Sequence, residues 1–172
     1  MSYNGNNITA IGTHGRLVYV ADPYPVGDYV NDSPPSIIAT YLVGQSLMSV
    51  PTSNTDWPLY ISNLPDTPNN AAVIFNSSPV KDARIMSDGD VIQHYGFEIL
   101  LRCTSDEDGW EKCNILSSAL DIVRNHFVTK GDNTYKIHNV TRLGGIGSLG
   151  NEPNSKRRKL FSMNFITSIT KI

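Results

Sequence analysis

The chain has no apolar run approaching the roughly 20 residues that a membrane span needs, and no basic start followed by an apolar stretch of the kind that directs export. A soluble, unexported protein is expected. The Asn-x-Ser/Thr sites, such as Asn7 to Thr9, would matter only in a secreted chain. Cysteine is scarce: Cys103 and Cys113 are the two present. Each falls where an apolar side chain would suit, so reduced core thiols are expected rather than a disulfide. A surplus of basic charge is missing as well. With 14 Lys and Arg against 16 Asp and Glu, the net charge is −2 and the pI is about 6.0. That argues against a surface built throughout to hold nucleic acid, while leaving room for a local basic edge.

Catalytic and metal-binding patterns are absent too. His14, His94, His126 and His138 are scattered, and no His-x-x-x-His, Cys-x-x-Cys or Glu-x-x-His spacing joins them. There is no Gly-x-Ser-x-Gly elbow and no P-loop. The adjacent acids Asp106, Glu107 and Asp108 do not converge on one point, and a helix N-terminus accounts for them electrostatically. The expectation is a protein that is not an enzyme and uses neither cofactor nor metal.

What is present is organised around Asp88 to Val128. Val91, Tyr95, Phe97, Ile99, Leu101 and Cys103 recur with period two, while His94, Glu98, Arg102 and Thr104 fall on the other side. This predicts a strand with one buried and one wet face. After Ser105 and the three acids, Cys113, Leu116, Leu120, Val123 and Phe127 recur at three- and four-residue steps, predicting one long amphipathic helix lying on the sheet.

Earlier in the chain, residues 1–32 are rich in Gly, Asn, Asp and Pro around the strand-like island Leu17-Val18-Tyr19-Val20-Ala21, and read as an arm that needs support from elsewhere. Ser33-Pro34-Pro35 then opens a helix, with a capping hydroxyl and Pro at the first position, carried by Ile37, Ile38, Tyr41 and Leu42 to about Met48. Leu59-Tyr60-Ile61 predicts a short strand, Pro65 to Asn70 a turn, and Ala71 to Asn76 a better strand. Arg84-Ile85-Met86 and Val91-Ile92 flank Ser87-Asp88-Gly89-Asp90, a reversal that gives the central strand a hairpin partner. Beyond the second helix, Gly131-Asp132-Asn133 is a turn. Tyr135 to Leu143 is a strand with a bulge near Asn139 and Val140. Leu160 to Ile169 is a half-buried strand, with Phe161, Met163, Phe165 and Ile169 on one face. Two helices and five or six strands, joined mostly without helical crossovers, predict an α+β fold on a largely antiparallel sheet, residues 33–172 forming the domain and 1–32 an extension.

Two motifs stand out. Gly145-Ile146-Gly147-Ser148-Leu149-Gly150 matches Gly-x-Gly-x-x-Gly, but a dinucleotide site needs a helix opening at the third glycine. Asn151-Glu152-Pro153-Asn154-Ser155 reads as loop, so a flexible hairpin connection is expected. Lys156-Arg157-Arg158-Lys159 is the one dense basic run, leading into the last strand as the return arm of a long hairpin. A solvated or intersubunit edge fits it better than a specific nucleic-acid site, because phosphate contacts carry affinity without base identity.

Taken together, Ser33-Pro34-Pro35-Ser36-Ile37-Ile38-Ala39, Ala83-Arg84-Ile85-Met86 to Gly89-Asp90-Val91-Ile92, Gly96-Phe97-Glu98-Ile99 with Arg102, the long helix, Asn139-Val140-Thr141, and Arg157-Arg158 before Leu160-Phe161-Ser162-Met163-Asn164-Phe165 resemble the tail-terminator and minor-capsid proteins of tailed bacteriophages. The resemblance spans about residues 33–172 as a pattern of elements. It implies a virion subunit, assembled in the bacterial cytoplasm, that forms a homo-oligomeric ring, commonly of six. Such a ring caps the tail tube and joins it to head-side neck proteins, and DNA passes transiently through its lumen. A head-completion or connector protein, and a DNA-binding accessory protein using the basic hairpin, are the alternatives. Residues 1–32 lie outside the resemblance and are expected to reach a neighbouring subunit or another neck protein.

Overall fold

Eight elements follow one another in the computed structural model, which describes residues 30, 32–51, 56–81, 93–153 and 155–172. They are α1 (Pro34–Gly44), β1 (Leu59–Ile61), β2 (Ala71–Lys81), β3 (Gln93–Cys103), α2 (Asp106–Asp121), β4 (Arg124–Lys130), β5 (Asn133–Asn151) and β6 (Lys159–Lys171). The strands form one sheet in the order β1-β2-β3-β6-β5-β4. Every neighbouring pair is antiparallel except β1 with β2, which is parallel. This is the expected α+β class. Of the sequence expectations, the island at Leu17 to Ala21, His14, and the hairpin of Arg84-Ile85-Met86 and Val91-Ile92 around Ser87 to Asp90 lie outside the described residues. The central strand β3 pairs antiparallel with β2, from Ala71↔Arg102 to Lys81↔Gln93.

The core follows from the period-two patterns of β3 and β6. Their register sets Phe97 opposite Phe165, Ile99 opposite Met163 and Leu101 opposite Phe161, all on one face. The rings of Phe97 and Phe165 stack with centroids 5.2 Å apart. Ile37, Ile38 and Leu42 from α1 and Cys113, Leu116 and Leu120 from α2 complete a continuous buried cluster with them. Burying each side chain of this size contributes on the order of 1.5–3 kcal/mol. Gly109 lets α2 sit this close. A Cβ there would lie 2.4 Å from Cys103 Sγ and 2.6 Å from the Phe161 ring.

Five expectations need correction. The first helix ends at Gly44 rather than near Met48, because the amides of Leu47 and Met48 turn back to the Leu42 carbonyl at 3.0 and 3.3 Å. Ser33 does start it, with Pro34 at the first position, but through its carbonyl: its hydroxyl makes no capping bond.

The second helix ends at Asp121 and does not continue to Val128. Arg124 to Lys130 is strand β4, paired with β5 from Arg124↔Asn139 to Lys130↔Asn133. Val123 and Phe127 continue the helical spacing by coincidence. His126-Phe127-Val128-Thr129 also alternates, and the Gly131 turn offers it a partner strand, so pairing prevails over helix propensity. Phe127 is accordingly 58% exposed.

The glycine stretch is strand rather than flexible connection. β5 runs through it to Asn151 against β6, with register shifts between Leu143 and Gly147 and between Ser148 and Gly150. Gly144 and Gly150 hold φ of 83° and 80°, which glycine adopts without a Cβ penalty. The bulge expected near Asn139 lies between Ile137 and Asn139.

Finally, Arg102, assigned to the wet face of the central strand, is 1% exposed. The 62–70 loop and the base of the last hairpin supply its partners, and both are remote in sequence.

Candidate functional site

The basic run occupies the turn between β5 and β6. Backbone bonds shape that turn: the Glu152 amide donates to the Arg158 carbonyl at 2.7 Å and the Ser155 amide to the Glu152 carbonyl at 3.0 Å. The Ser155 hydroxyl accepts from the amides of Arg157 and Arg158 at 3.3 and 3.2 Å. Asn69, Thr104, Ser155 and the four basic residues line a shallow open depression beside it.

The structure divides the four cations into two pairs with different duties. Arg158 donates from Nη1 to Glu152 Oε2 at 3.1 Å and from Nε to Asn69 Oδ1 at 3.1 Å. Lys159 pairs with Asp106 Oδ1 at 3.1 Å, tying the hairpin to the first turn of α2. Lys156 and Arg157 are exposed and make no ion pair among the described residues. Two of the four therefore hold the turn in place, and two stay exposed, without an ion pair among the described residues.

Under the turn lies a network that the sequence pattern missed. Arg102 donates from Nη1 to Glu152 Oε1 at 3.0 Å and from Nη2 to the carbonyls of Pro65 and Pro68, each at 2.6 Å. Glu152 thus bridges Arg102 and Arg158 with its two oxygens. A guanidinium removed from water in this way requires a charged partner and well-placed acceptors. One consequence is that the hairpin base, the 62–70 loop and the central strand form a fixed platform for Lys156 and Arg157. Arg102 is not legible from its own strand, since its acceptors lie 34 to 50 residues away.

The other sequence candidates have structural explanations. The Ser105 hydroxyl accepts from the Asp108 amide at 3.3 Å and caps α2, placing Asp106, Glu107 and Asp108 in its first turn. Cys103 and Cys113 are buried free thiols. Burial pushes the Cys103 thiol up to about 11, with the Asp106 carboxylate adding to the shift, and pushes Cys113 up to about 12. Neither is a poised nucleophile at neutral pH. No helix opens at Gly150, so the glycine stretch lacks the N-terminus that would hold a pyrophosphate. His138 Nε2 bonds with Thr170 Oγ1 at 2.9 Å, and the His126 ring meets Tyr41 edge-on at 4.9 Å. Among the described residues, no three of His, Cys, Asp and Glu come together as a metal site would require. No helix among them is long and apolar enough to cross a membrane.

A second anchor holds Asp32, ahead of α1. Buried Tyr135 donates its hydroxyl to Asp32 Oδ2 at 2.6 Å and accepts the Asp32 amide at 3.2 Å, while Lys130 pairs with Asp32 at 3.4 Å. The Tyr135 hydrogen bond holds the Asp32 carboxyl below its usual range.

Comparison with known proteins gives little to set beside this geometry. No family profile matches the chain, and no curated protein does. Among solved structures, the fold is similar to a chain of the virion of a native gene transfer agent particle. The two are 10% identical, with 77% of this chain and 84% of the other covered and a TM-score of 0.43. A likeness at that level carries no argument about function.

Proposed function

We propose that the chain is a structural subunit of a tailed-phage virion. In this reading it assembles into a ring, commonly of six, that caps the tail tube, contacts head-side neck proteins and lets DNA pass through its lumen. The reading rests on the resemblance of the chain's pattern of elements, over about residues 33–172, to tail-terminator and minor-capsid proteins. The observation that carries it further is the distribution of unpaired sheet edge. β1 pairs with β2 only as far as Ile74, and β4 pairs with β5 only as far as Asn139. Among the described residues, the rest of β2 and the rest of β5 have open outer edges. These lie on opposite sides of the sheet and are offset toward opposite ends of the strands. Two different, non-overlapping edges suit a head-to-tail contact, which closes into a ring when the rotation between copies fits.

Lys156 and Arg157 supply the second element, a charged contact to an acidic neighbouring subunit or neck protein. A DNA-binding role for the hairpin is the weaker reading, since two of its four cations are already engaged. Two phosphate contacts give a salt slope of about −1.8 in log K against log salt, at roughly −0.9 per contact. A strong grip on phosphates would also hinder DNA sliding through a lumen.

Electron microscopy of virions carrying a labelled chain tests the assignment. Label at the head-proximal end of the tail is expected. Label on the capsid shell or at the tail tip, or steep salt-dependent binding of the purified protein to duplex DNA, would overturn it.

A further inference from the structure

The two sides of the sheet are stepped in opposite senses, and the strand register sets the steps at matching heights. On one side β1 stands out beyond β2. Its Leu59 is paired with Ala72, which lies across from Leu101 and then Phe161. On the other side Phe161 faces Ser148 of β5, where no strand lies outside among the described residues, because β4 pairs only as far as Asn139. Toward the other end of the strands the arrangement reverses. β4 begins with Arg124 beside Asn139, level with Ser168, His94 and Val80, and at that height β2 has passed the end of β1, which stops opposite Ile74. Each side therefore has a tongue where the other has a recess.

We propose that these steps form the joint between two copies of the chain: β1 of one copy enters the recess beside β5 of the next, and β4 of that copy enters the recess beside β2 of the first. This deepens the ring reading and rests on it, because it names the surfaces that meet. The occupant is a second copy, since within one chain β2, β3 and β6 stand between β1 and β5. That separation is about 19 Å along the sheet, at ~4.8 Å per strand. Strand sense agrees as well. β1 runs antiparallel to β5 through the intervening pairs, so copies rotated about an axis along the strands bring these two edges together antiparallel. The steps meet without a slide along that axis, and closure requires this, because rotation with translation builds an open helix.

The side chains suit the joint. From Leu143 to Asn151, β5 carries no charged residue and no proline, the two devices that discourage pairing at an edge. Ser49 bridges Pro58 and accepts the Leu59 amide, which leaves the free part of the β1 edge at Ile61. Ile61 is 44% exposed, and Leu143 and Leu149 are 50% and 57% exposed; the joint takes all three out of water. Charge is complementary at its foot. Lys156 and Arg157 lie in the turn that follows β5, below the recess. Asp56, just ahead of β1, is exposed and makes no ion pair among the described residues, and the Ser49 hydroxyl donates to its carbonyl at 2.9 Å. The cations that the turn leaves unpaired thus meet an acid of the adjoining copy.

Crosslinking of the full chain tests this. Ile61 is paired with Ile74 and Ser148 with Phe161, both buried beneath the helices, so the two positions share one side of the sheet. A chain carrying Ile61→Cys and Ser148→Cys is assembled and treated with a short bis-maleimide. Cys103 and Cys113 are fully buried and stay out of the reaction. Denaturing gels should show a ladder of linked chains, at least about ten-fold stronger than from Ile61→Cys with Thr129→Cys, because groups held side by side meet at an effective concentration that free collision does not reach. Linking only within single chains would overturn the proposal. So would a closed oligomer with no ladder, an outcome that leaves the ring reading standing. Dimers formed by Ser148→Cys alone would mean a two-fold pairing of β5 edges and would remove both, as would a full chain that stays monomeric.

Discussion

Replacing Glu152 with alanine should destabilise the protein out of proportion to its position in a surface turn. The carboxylate accepts from Arg102 at 3.0 Å and from Arg158 at 3.1 Å. The Arg102 side chain is 1% exposed and that of Glu152 18%. Without the carboxylate, Arg102 keeps two backbone carbonyls but has lost its counter-charge, in a place where water cannot replace it. Removing one partner of a buried ion pair costs about 3–5 kcal/mol. The partial exposure of Glu152 sets the expectation at the low end, about 3 kcal/mol. For a chain of this length, that is a fall in Tm of roughly 6–12 °C, at about 2–4 °C per kcal/mol.

Thermal and urea unfolding of Glu152→Ala, Arg102→Met and the double variant form the assay. The double variant should recover part of the loss, giving a coupling above about 1.5 kcal/mol, because no buried charge remains unpaired. Arg158→Ala, at a side chain 24% exposed, should cost less than either single change. A Glu152→Ala protein that melts within about 1 °C of the parent, or two single losses that simply add, would refute the account of a charged clamp beneath the hairpin.

Other expectations follow from the same geometry. Gly109→Ala should lose about 2 kcal/mol by overpacking, read by urea unfolding, even though alanine is the better helix former by about 1 kcal/mol. A gain in stability would mean α2 is less tightly seated than the Cys103 and Phe161 contacts imply. The thiols of Cys103 and Cys113, raised from the ordinary 9.0 to about 11 and about 12, favour the folded state in their neutral form. Their contribution is complete below pH 9 and is lost as the pH rises toward 11 and 12, because the unfolded chain releases these protons first. Stability measured against pH should therefore decline above pH 9, and Cys113→Ala should flatten that decline; an unchanged slope would contradict it. Lys156→Ser with Arg157→Ser should leave the melting temperature within about 1 °C, as exposed changes usually stay within 0.5 kcal/mol, while weakening assembly. If assembly were intact and only DNA passage altered, the cations would belong to the lumen.

The parts of the fold legible in the sequence were those with a single strong periodicity. Phe97, Ile99 and Leu101 on β3 and Phe161, Met163 and Phe165 on β6 announced their buried face, because the face is set by alternation within each strand. The end of α2 was not legible. Val123 and Phe127 fit the helical period and the strand period equally, and the choice was made by β5, a partner that local spacing does not reveal. Arg102 was misplaced for a related reason: alternation assigns a side but not what covers it, and the carbonyls of Pro65 and Pro68 cover it here. For the candidate site, the sequence located Lys156 to Lys159. Their division into Arg158 and Lys159, which hold the turn, and Lys156 and Arg157, which face outward, depends on Glu152, Asn69 and Asp106, and only the folded chain brings those together.

The central claim is that this subunit closes head to tail into a ring, and native mass spectrometry of the purified full chain tests it most directly. One closed species, at six copies of 18.9 kDa, is predicted, little changed between low and high salt because strand pairing carries the contact. A monomer at every concentration, or an isologous dimer that goes no further, would contradict it.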